Sequence, residues 1–205
     1  MKKYVIKVAV AMAIVAGCNM SAKAQVSLDA YYNVDWQFNM PINKFANKAS
    51  GWGMNFEGGY YLTDNFAVGA FLAYHSNHKY IPRQTISLGD NSSINTDQQH
   101  TLFQMPFGVT GRYTFNRDGM FQPYISVKAG PQYARLKSTF NVFQNDDNTW
   151  GFYVSPEVGI NIFPWVYQPG IHVAAYYSYA TNKGSVLTYG TDGMSNFGLR
   201  IGIAF

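Results

Sequence analysis

From Ser27 onward, large apolar side chains recur at alternate positions in runs separated by polar, glycine- or proline-containing stretches. The last run, Ser195 to Phe205, shows the pattern most clearly: Phe197, Leu199, Ile201, Ile203 and Phe205 alternate with Gly198, Arg200, Gly202 and Ala204. A strand sends successive side chains to opposite faces, so this segment has one apolar face and one small or charged face. Seven earlier runs behave alike, over 27–38, 51–62, 66–77, 100–115, 121–136, 150–162 and 171–179. Each is near the ~10 residues that a tilted strand needs to cross a bilayer. In the first, Leu28, Ala30, Tyr32, Val34, Trp36 and Phe38 oppose Asp29, Tyr31, Asn33, Asp35 and Gln37. The fifth is the least regular, and Pro131 predicts a local irregularity there.

The connections alternate in length. Polar stretches at 39–50, 78–99, 141–149 and 181–194 join runs 1–2, 3–4, 5–6 and 7–8. Short turns, such as Thr63-Asp64-Asn65 and Asn116-Arg117-Asp118-Gly119, join runs 2–3, 4–5 and 6–7. Long loops at one end and short turns at the other are the layout of a membrane barrel, with the long loops outside. A soluble barrel would place its apolar face inside and a strongly charged face outside. Here the non-apolar face is mostly Gly, Ala, Ser and Asn, with about one or two charges per strand. The pattern therefore predicts an all-β fold: an eight-stranded antiparallel up-and-down transmembrane β-barrel, its apolar face against lipid.

The N-terminus predicts export. Lys2, Lys3 and Lys7 precede the short apolar stretch Val8–Gly17, and Ser21-Ala22-Lys23-Ala24 forms a small-residue cleavage site between Ala24 and Gln25. Residues 1–24 read as a signal peptide and 25–205 as the barrel domain. Val15-Ala16-Gly17-Cys18 offers a competing lipoprotein-type site at the chain's single cysteine. The net charge of +4 belongs to the leader, because its four lysines are matched by no acid. The remainder balances eleven bases against eleven acids, so the charge is no sign of nucleic-acid binding. Sixteen Tyr, 15 Phe and 4 Trp with only 13% charged residues suit a barrel with aromatic girdles. Trp52, Trp150 and Tyr179 fall near the loop ends, and Tyr60, Tyr113 and Phe205 near the turn ends.

Over essentially the whole of 25–205 the chain resembles the outer-membrane β-barrel domain family, and within it the small eight-stranded OmpA/OmpX-type barrels. The resemblance implies the outer membrane of a Gram-negative-type bacterium. It also implies that Phe197, Leu199, Ile201, Ile203 and the final aromatic Phe205 form a signal read by the barrel-assembly machinery. Function stays open, because that fold hosts pores, adhesins, tethers and lipid-modifying enzymes.

Inward parity collects Asp29, Asp35, Glu57 and Glu157 with Arg112, Lys128 and Arg200, plus His75 and His172. An eight-stranded barrel is just wide enough for its own side chains. Enclosed charges must pair, so these residues are expected to form a salt-bridged plug, with a narrow ion path as the alternative. A lipid A-modifying enzyme is the further alternative, because Ala73-Tyr74-His75-Ser76-Asn77-His78 resembles the His-x-Ser-Asn pattern of lipid A deacylases. Adjacent His75 and Ser76 point to opposite faces, however, and cannot readily pair within the strand. Asn145-Asp146-Asp147-Asn148 lacks the spaced ligands of a calcium loop. The expected role is non-catalytic, in envelope integrity or surface interaction through the long loops, with no cofactor. The expected partners are outer-membrane lipid, the assembly machinery and an unidentified extracellular or periplasmic protein; the barrel is expected to be a monomer.

Overall fold

A computed structural model describes residues 30–42, 45–89, 92–140, 143–165, 168–186 and 189–205. Asp29, Cys18 and the Ala24–Gln25 site lie outside the described residues. Eight strands follow one another: β1 (Ala30–Pro41), β2 (Gly53–Tyr61), β3 (Phe66–Gly89), β4 (Ser92–Thr114), β5 (Phe121–Phe140), β6 (Phe143–Ile162), β7 (Gly170–Val186) and β8 (Tyr189–Ala204). Each pairs antiparallel with its sequence neighbours, and β8 returns to β1 to close a barrel. The closing register sets Asp35 opposite Gly202 and Trp36 opposite Ile201. A Cβ at Gly202 would overlap the Val34 carbonyl oxygen, so the seam closes only because that position lacks a side chain.

Burial alternates residue by residue, in the sense opposite to that of a water-soluble barrel. Along β8 and the residue that follows it, Phe197, Leu199, Ile201, Ile203 and Phe205 are 41–51% exposed on the outside, while Arg200 inside is 0% exposed. Val34, Trp36, Phe38, Phe56, Leu72, Val109, Ile125, Val127, Val158 and Ile171 are exposed likewise. Outward apolar side chains around sequestered charges require an apolar solvent, and a closed barrel leaves lipid no unpaired strand edge at that depth. Trp52, Trp150 and Tyr179 mark one rim of this band, and Tyr60, Tyr113 and Phe205 the other, all of them exposed. The two girdles fall where the sequence pattern placed them. Trp36 joins the first rim and donates its indole N–H to the Gly51 carbonyl.

Three of the polar stretches read as loops are strand instead. β3 and β4 stay paired up to Gly89↔Ser92, β5 and β6 up to Phe140↔Phe143, and β7 and β8 up to Val186↔Tyr189. Their residues are polar on both faces because they stand beyond the lipid, which removes the alternation that betrays a strand. Backbone pairing persists without it. These extensions do not complete the tube. β6 and β7 are laddered from Ile162↔Ile171 only as far as Tyr153↔Ala180. Above that level side chains bridge the gap, including Thr181 to the Phe152 N–H at 2.9 Å and Asp147 to the Ser185 N–H at 2.9 Å.

At Pro131 the irregularity is milder than expected. The ladder to β6 runs through Pro131↔Phe152 unbroken. The ladder to β4 passes from Pro106↔Gln132 to Val109↔Ala129, three residues on each strand, so no residue is inserted. Gly108 and Gly130 lie side by side in that interval, where a Cβ on either would overlap the opposite backbone.

Candidate functional site

The lumen holds a continuous string of alternating charges. Glu57 on β2 accepts from Arg112 on β4 at 2.9 Å and faces Lys128 of β5 at 2.7 Å. Lys128 also donates to Glu157 of β6 at 2.8 Å, and Glu157 in turn pairs with Arg200 of β8. Every one of these side chains is shut off from the outside. The string Arg112–Glu57–Lys128–Glu157–Arg200 therefore crosses from one side of the barrel to the other. Inward parity supplies the residues, and the pairing registers bring them to one height. Isolated, each charge would cost several kcal/mol to bury, whereas in alternation every acid lies between two bases.

Phenols and amides add further contacts to the string. Tyr31 donates to Glu57 at 2.9 Å and Tyr124 to Glu157 at 2.7 Å. The Tyr124 hydroxyl also lies 2.6 Å from His172 Nε2, while His172 Nδ1 meets Asp35. Asn55 secures the other Asp35 oxygen at 2.8 Å. The Arg112 guanidinium is sandwiched between the rings of Tyr31 and Tyr124, at 4.1 and 3.9 Å, and Arg200 stacks on Tyr176 at 4.2 Å. Arg200 further donates to Gln37 at 3.0 Å, and Gln37 meets His75 Nδ1 at 3.0 Å.

Above the charges the lumen holds an apolar cluster set among buried amides such as Gln104, Gln132 and Asn196. Phe71, Leu102, Leu136, Tyr153, Val186 and Met194 pack together, and Phe45 drops into their midst from the β1–β2 connection. Phe45 is 1% exposed and stacks on His100 with centroids 4.5 Å apart. Its carbonyl oxygen meets His100 Nδ1 at 3.1 Å, and Asn77 donates to the Lys48 carbonyl at 3.1 Å. Of the 39–50 stretch, read from its polarity as an outside loop, Asn39–Pro41 continue β1, and the residues around Phe45 are folded into the barrel mouth as a stopper. One phenylalanine outweighs its polar neighbours, because burying a ring of that size is worth about 2–3 kcal/mol.

Of the nine residues expected in the interior network, eight are described and all eight are buried: Asp35, Glu57, His75, Arg112, Lys128, Glu157, His172 and Arg200. The structure links the eight through one set of contacts. Inward parity could have added Tyr31, Gln37, Tyr124 and Tyr176. Phe45 has no periodic neighbours, and nothing in the sequence marks it. His75 points inward to Gln37, whereas Ser76 lines a cleft on the outer surface with Thr101 and Phe103, so the two form no nucleophile–base pair. Among the described residues no cluster of three His, Cys, Asp or Glu side chains could hold a metal ion.

Residues 10–205 match the family model described as outer membrane protein beta-barrel domain. No curated protein matches the chain. Among solved structures it is similar to Neisserial surface protein A, at 14% identity and a TM-score of 0.48, covering 86% of this chain and 96% of that one. It is also similar to the outer membrane protein OprG from Pseudomonas aeruginosa, at 12% identity and a TM-score of 0.48, covering 90% and 98%. A third is Ail, the attachment invasion locus protein of Yersinia pestis, in complex with the heparin analogue sucrose octasulfate, at 12% identity and a TM-score of 0.44, covering 86% and 97%.

Proposed function

The chain belongs to the outer membrane protein beta-barrel domain family, and from that premise we propose that it is a closed, non-catalytic barrel that acts through the β-hairpins it raises above the outer membrane. The observation that carries this reading is the doubly obstructed lumen. The string from Arg112 to Arg200 spans its middle, and Phe45 with its apolar neighbours stops its mouth. A permeant ion would have to part charges that hold one another at 2.7–2.9 Å. Outside the membrane the paired extensions of β3–β4, β5–β6 and β7–β8 offer a stiff, polar surface suited to contact with other molecules or to bracing the envelope.

The test is single-channel recording on the refolded barrel in a planar bilayer, with folding verified by heat-modifiable migration. The expected result is a folded band and no current. A stable current that changes in Arg200→Gln would overturn the closed-barrel reading in favour of a narrow channel.

A further inference from the structure

All but two of the buried side chains in the apolar cluster at the barrel mouth stand on the wall, from Phe71 of β3 round to Met194 of β8. The exceptions, Phe45 and Ala46, come from the connection between β1 and β2. The wall therefore forms a cup, and Phe45 fills it. The Phe45 ring lies flat on the His100 imidazole, with centroids 4.5 Å apart and planes inclined by 13°. The Tyr189 ring stands edge-on to the same imidazole at 4.8 Å. Beyond Phe45 the connection is tied back by the Asn77 bond to the Lys48 carbonyl and by the Asn39↔Ser50 bridge.

Phe45 fills the volume of the cup but does not answer its chemistry. Gln132 touches Met194 of the cluster, Nε2 to Sδ at 3.8 Å, while its Oε1 meets no donor among the described residues. Asn182 gives its Nδ2 hydrogens to the Gln132 and Thr149 carbonyls at 3.2 and 3.1 Å. Its Oδ1 is thereby left beside Gly151, again with no donor among the described residues. At the roof, Gln98 Oε1 lies 3.2 Å from His100 Nε2, and Gln98 Nε2 meets no acceptor there. All three amides are 0–1% exposed. A buried acceptor without a donor is costly, and a hydrocarbon ring has no donor to give.

We propose that the cup is a binding pocket for a small planar aromatic molecule carrying an O–H or N–H group, and that Phe45 is its resident substitute. The ring of the ligand takes the place of the Phe45 ring against His100, and its hydroxyl or amine donates to Gln132 or Asn182. Planarity is set by the stacking surface of His100 and Tyr189, and the donor by the two orphan oxygens. One ring is the size that the cup already accepts. Phe45 and the ligand exclude each other, so binding turns the segment around Phe45 outward. The pocket lies above the charge string and is independent of whether that string conducts.

The experiment uses the full mature barrel, refolded and placed in phosphatidylcholine nanodiscs, with three probes. These are phenol, fluorobenzene, which keeps the ring and loses the donor, and cyclohexanol, which keeps the hydroxyl and loses the plane. Saturation-transfer NMR, with empty nanodiscs subtracted, gives the affinity of each, and tryptic cleavage after Lys48 reports the displacement of Phe45. Phenol is expected to bind about three- to tenfold more tightly than fluorobenzene, the factor that one added hydrogen bond supplies, and more tightly than cyclohexanol. Cleavage after Lys48 is expected to rise with phenol and to saturate with its binding curve, while cleavage after the exposed Lys183 keeps its rate. Phe45→Ala, which removes the competitor, is expected to tighten phenol binding by about tenfold or more. Gln132→Met with Asn182→Leu is expected to erase the preference for phenol over fluorobenzene while fluorobenzene still binds. Heat-modifiable migration of each variant verifies folding. Absence of saturable phenol binding to the unaltered barrel would overturn the proposal, as would equal affinity for phenol and fluorobenzene. Phenol binding that leaves cleavage after Lys48 unchanged, or a preference that survives the double variant, would overturn it as well.

Discussion

Glu157 is the position at which the lumen is most exposed to a single change. Its carboxylate is shared by Lys128, Arg200 and the Tyr124 hydroxyl. Glu157→Gln keeps the shape and removes the charge. Lys128 then retains Glu57 as a partner, but Arg200 is left with no carboxylate, only neutral groups such as the Gln37 oxygen and the Tyr176 ring. A buried cation stripped of its carboxylate costs about 3–5 kcal/mol. At a urea slope of about 2.5 kcal/mol/M, that moves the unfolding midpoint down by roughly 1–2 M. The assay is equilibrium urea unfolding of the barrel in lipid vesicles, followed by heat-modifiable migration and tryptophan fluorescence. A second substitution separates charge from packing. Glu157→Gln with Arg200→Gln leaves Arg112–Glu57–Lys128 and the Asp35–His172 contact, so no cation is orphaned. The double variant is expected to recover about 1–3 kcal/mol relative to the sum of the single changes. A Glu157→Gln barrel within about 0.5 kcal/mol of the unaltered protein would refute the idea that the string is held by mutual neutralisation. Strict additivity in the double variant would do the same.

Two further outcomes concern the stopper. Phe45→Ala is expected to weaken docking of the segment around Phe45 by about 3–5 kcal/mol, while the barrel keeps its heat-modifiable band. Added protease on refolded vesicles should then cleave that stretch, and continued resistance would count against the stopper. His100, which stands beyond the lipid-facing band and stacks on Phe45, has its pKa pushed down by burial, against a smaller upward pull from the Phe45 carbonyl and with a still smaller downward push from Lys79. With the loop undocked, His100 therefore takes up its proton at higher pH than with the loop docked. Docking is at full strength above the ordinary histidine value of 6.5 and weakens as the pH falls below it. Protease sensitivity of the same stretch should rise on mild acidification and lose that dependence in His100→Gln; a flat profile in the unaltered protein would remove the effect.

Legibility followed the solvent. Where lipid covers one face, as at Phe197–Phe205 or Phe103–Phe115, the period-two pattern is strong, and both strand and orientation can be read from it. Parity alone then placed Asp35, Glu57, Arg112, Lys128, Glu157 and Arg200 inside. Which acid meets which base could not be read, because register depends on pairing geometry rather than on any one strand. Beyond the lipid, residues such as Gln98, Gln99, Thr139 and Asn145 are polar on both faces, and a strand there has the composition of a loop. Phe45 was illegible for another reason: its burial is decided by a hole in the barrel mouth that β3 to β8 create together, not by its neighbours in the chain.

The hairpins beyond the membrane are continuations of the transmembrane strands, tied by the same ladders. Their height can therefore be adjusted like a column built from identical blocks. Adding two residues to each strand of a hairpin preserves which face every side chain takes and lifts the tip by ~7 Å. Adding one turns the upper portion inside out. Descendants of this sequence are accordingly expected to differ in hairpin length by multiples of four residues, and a designer wishing to display a foreign peptide at a chosen distance from the cell has the same set of steps to work with.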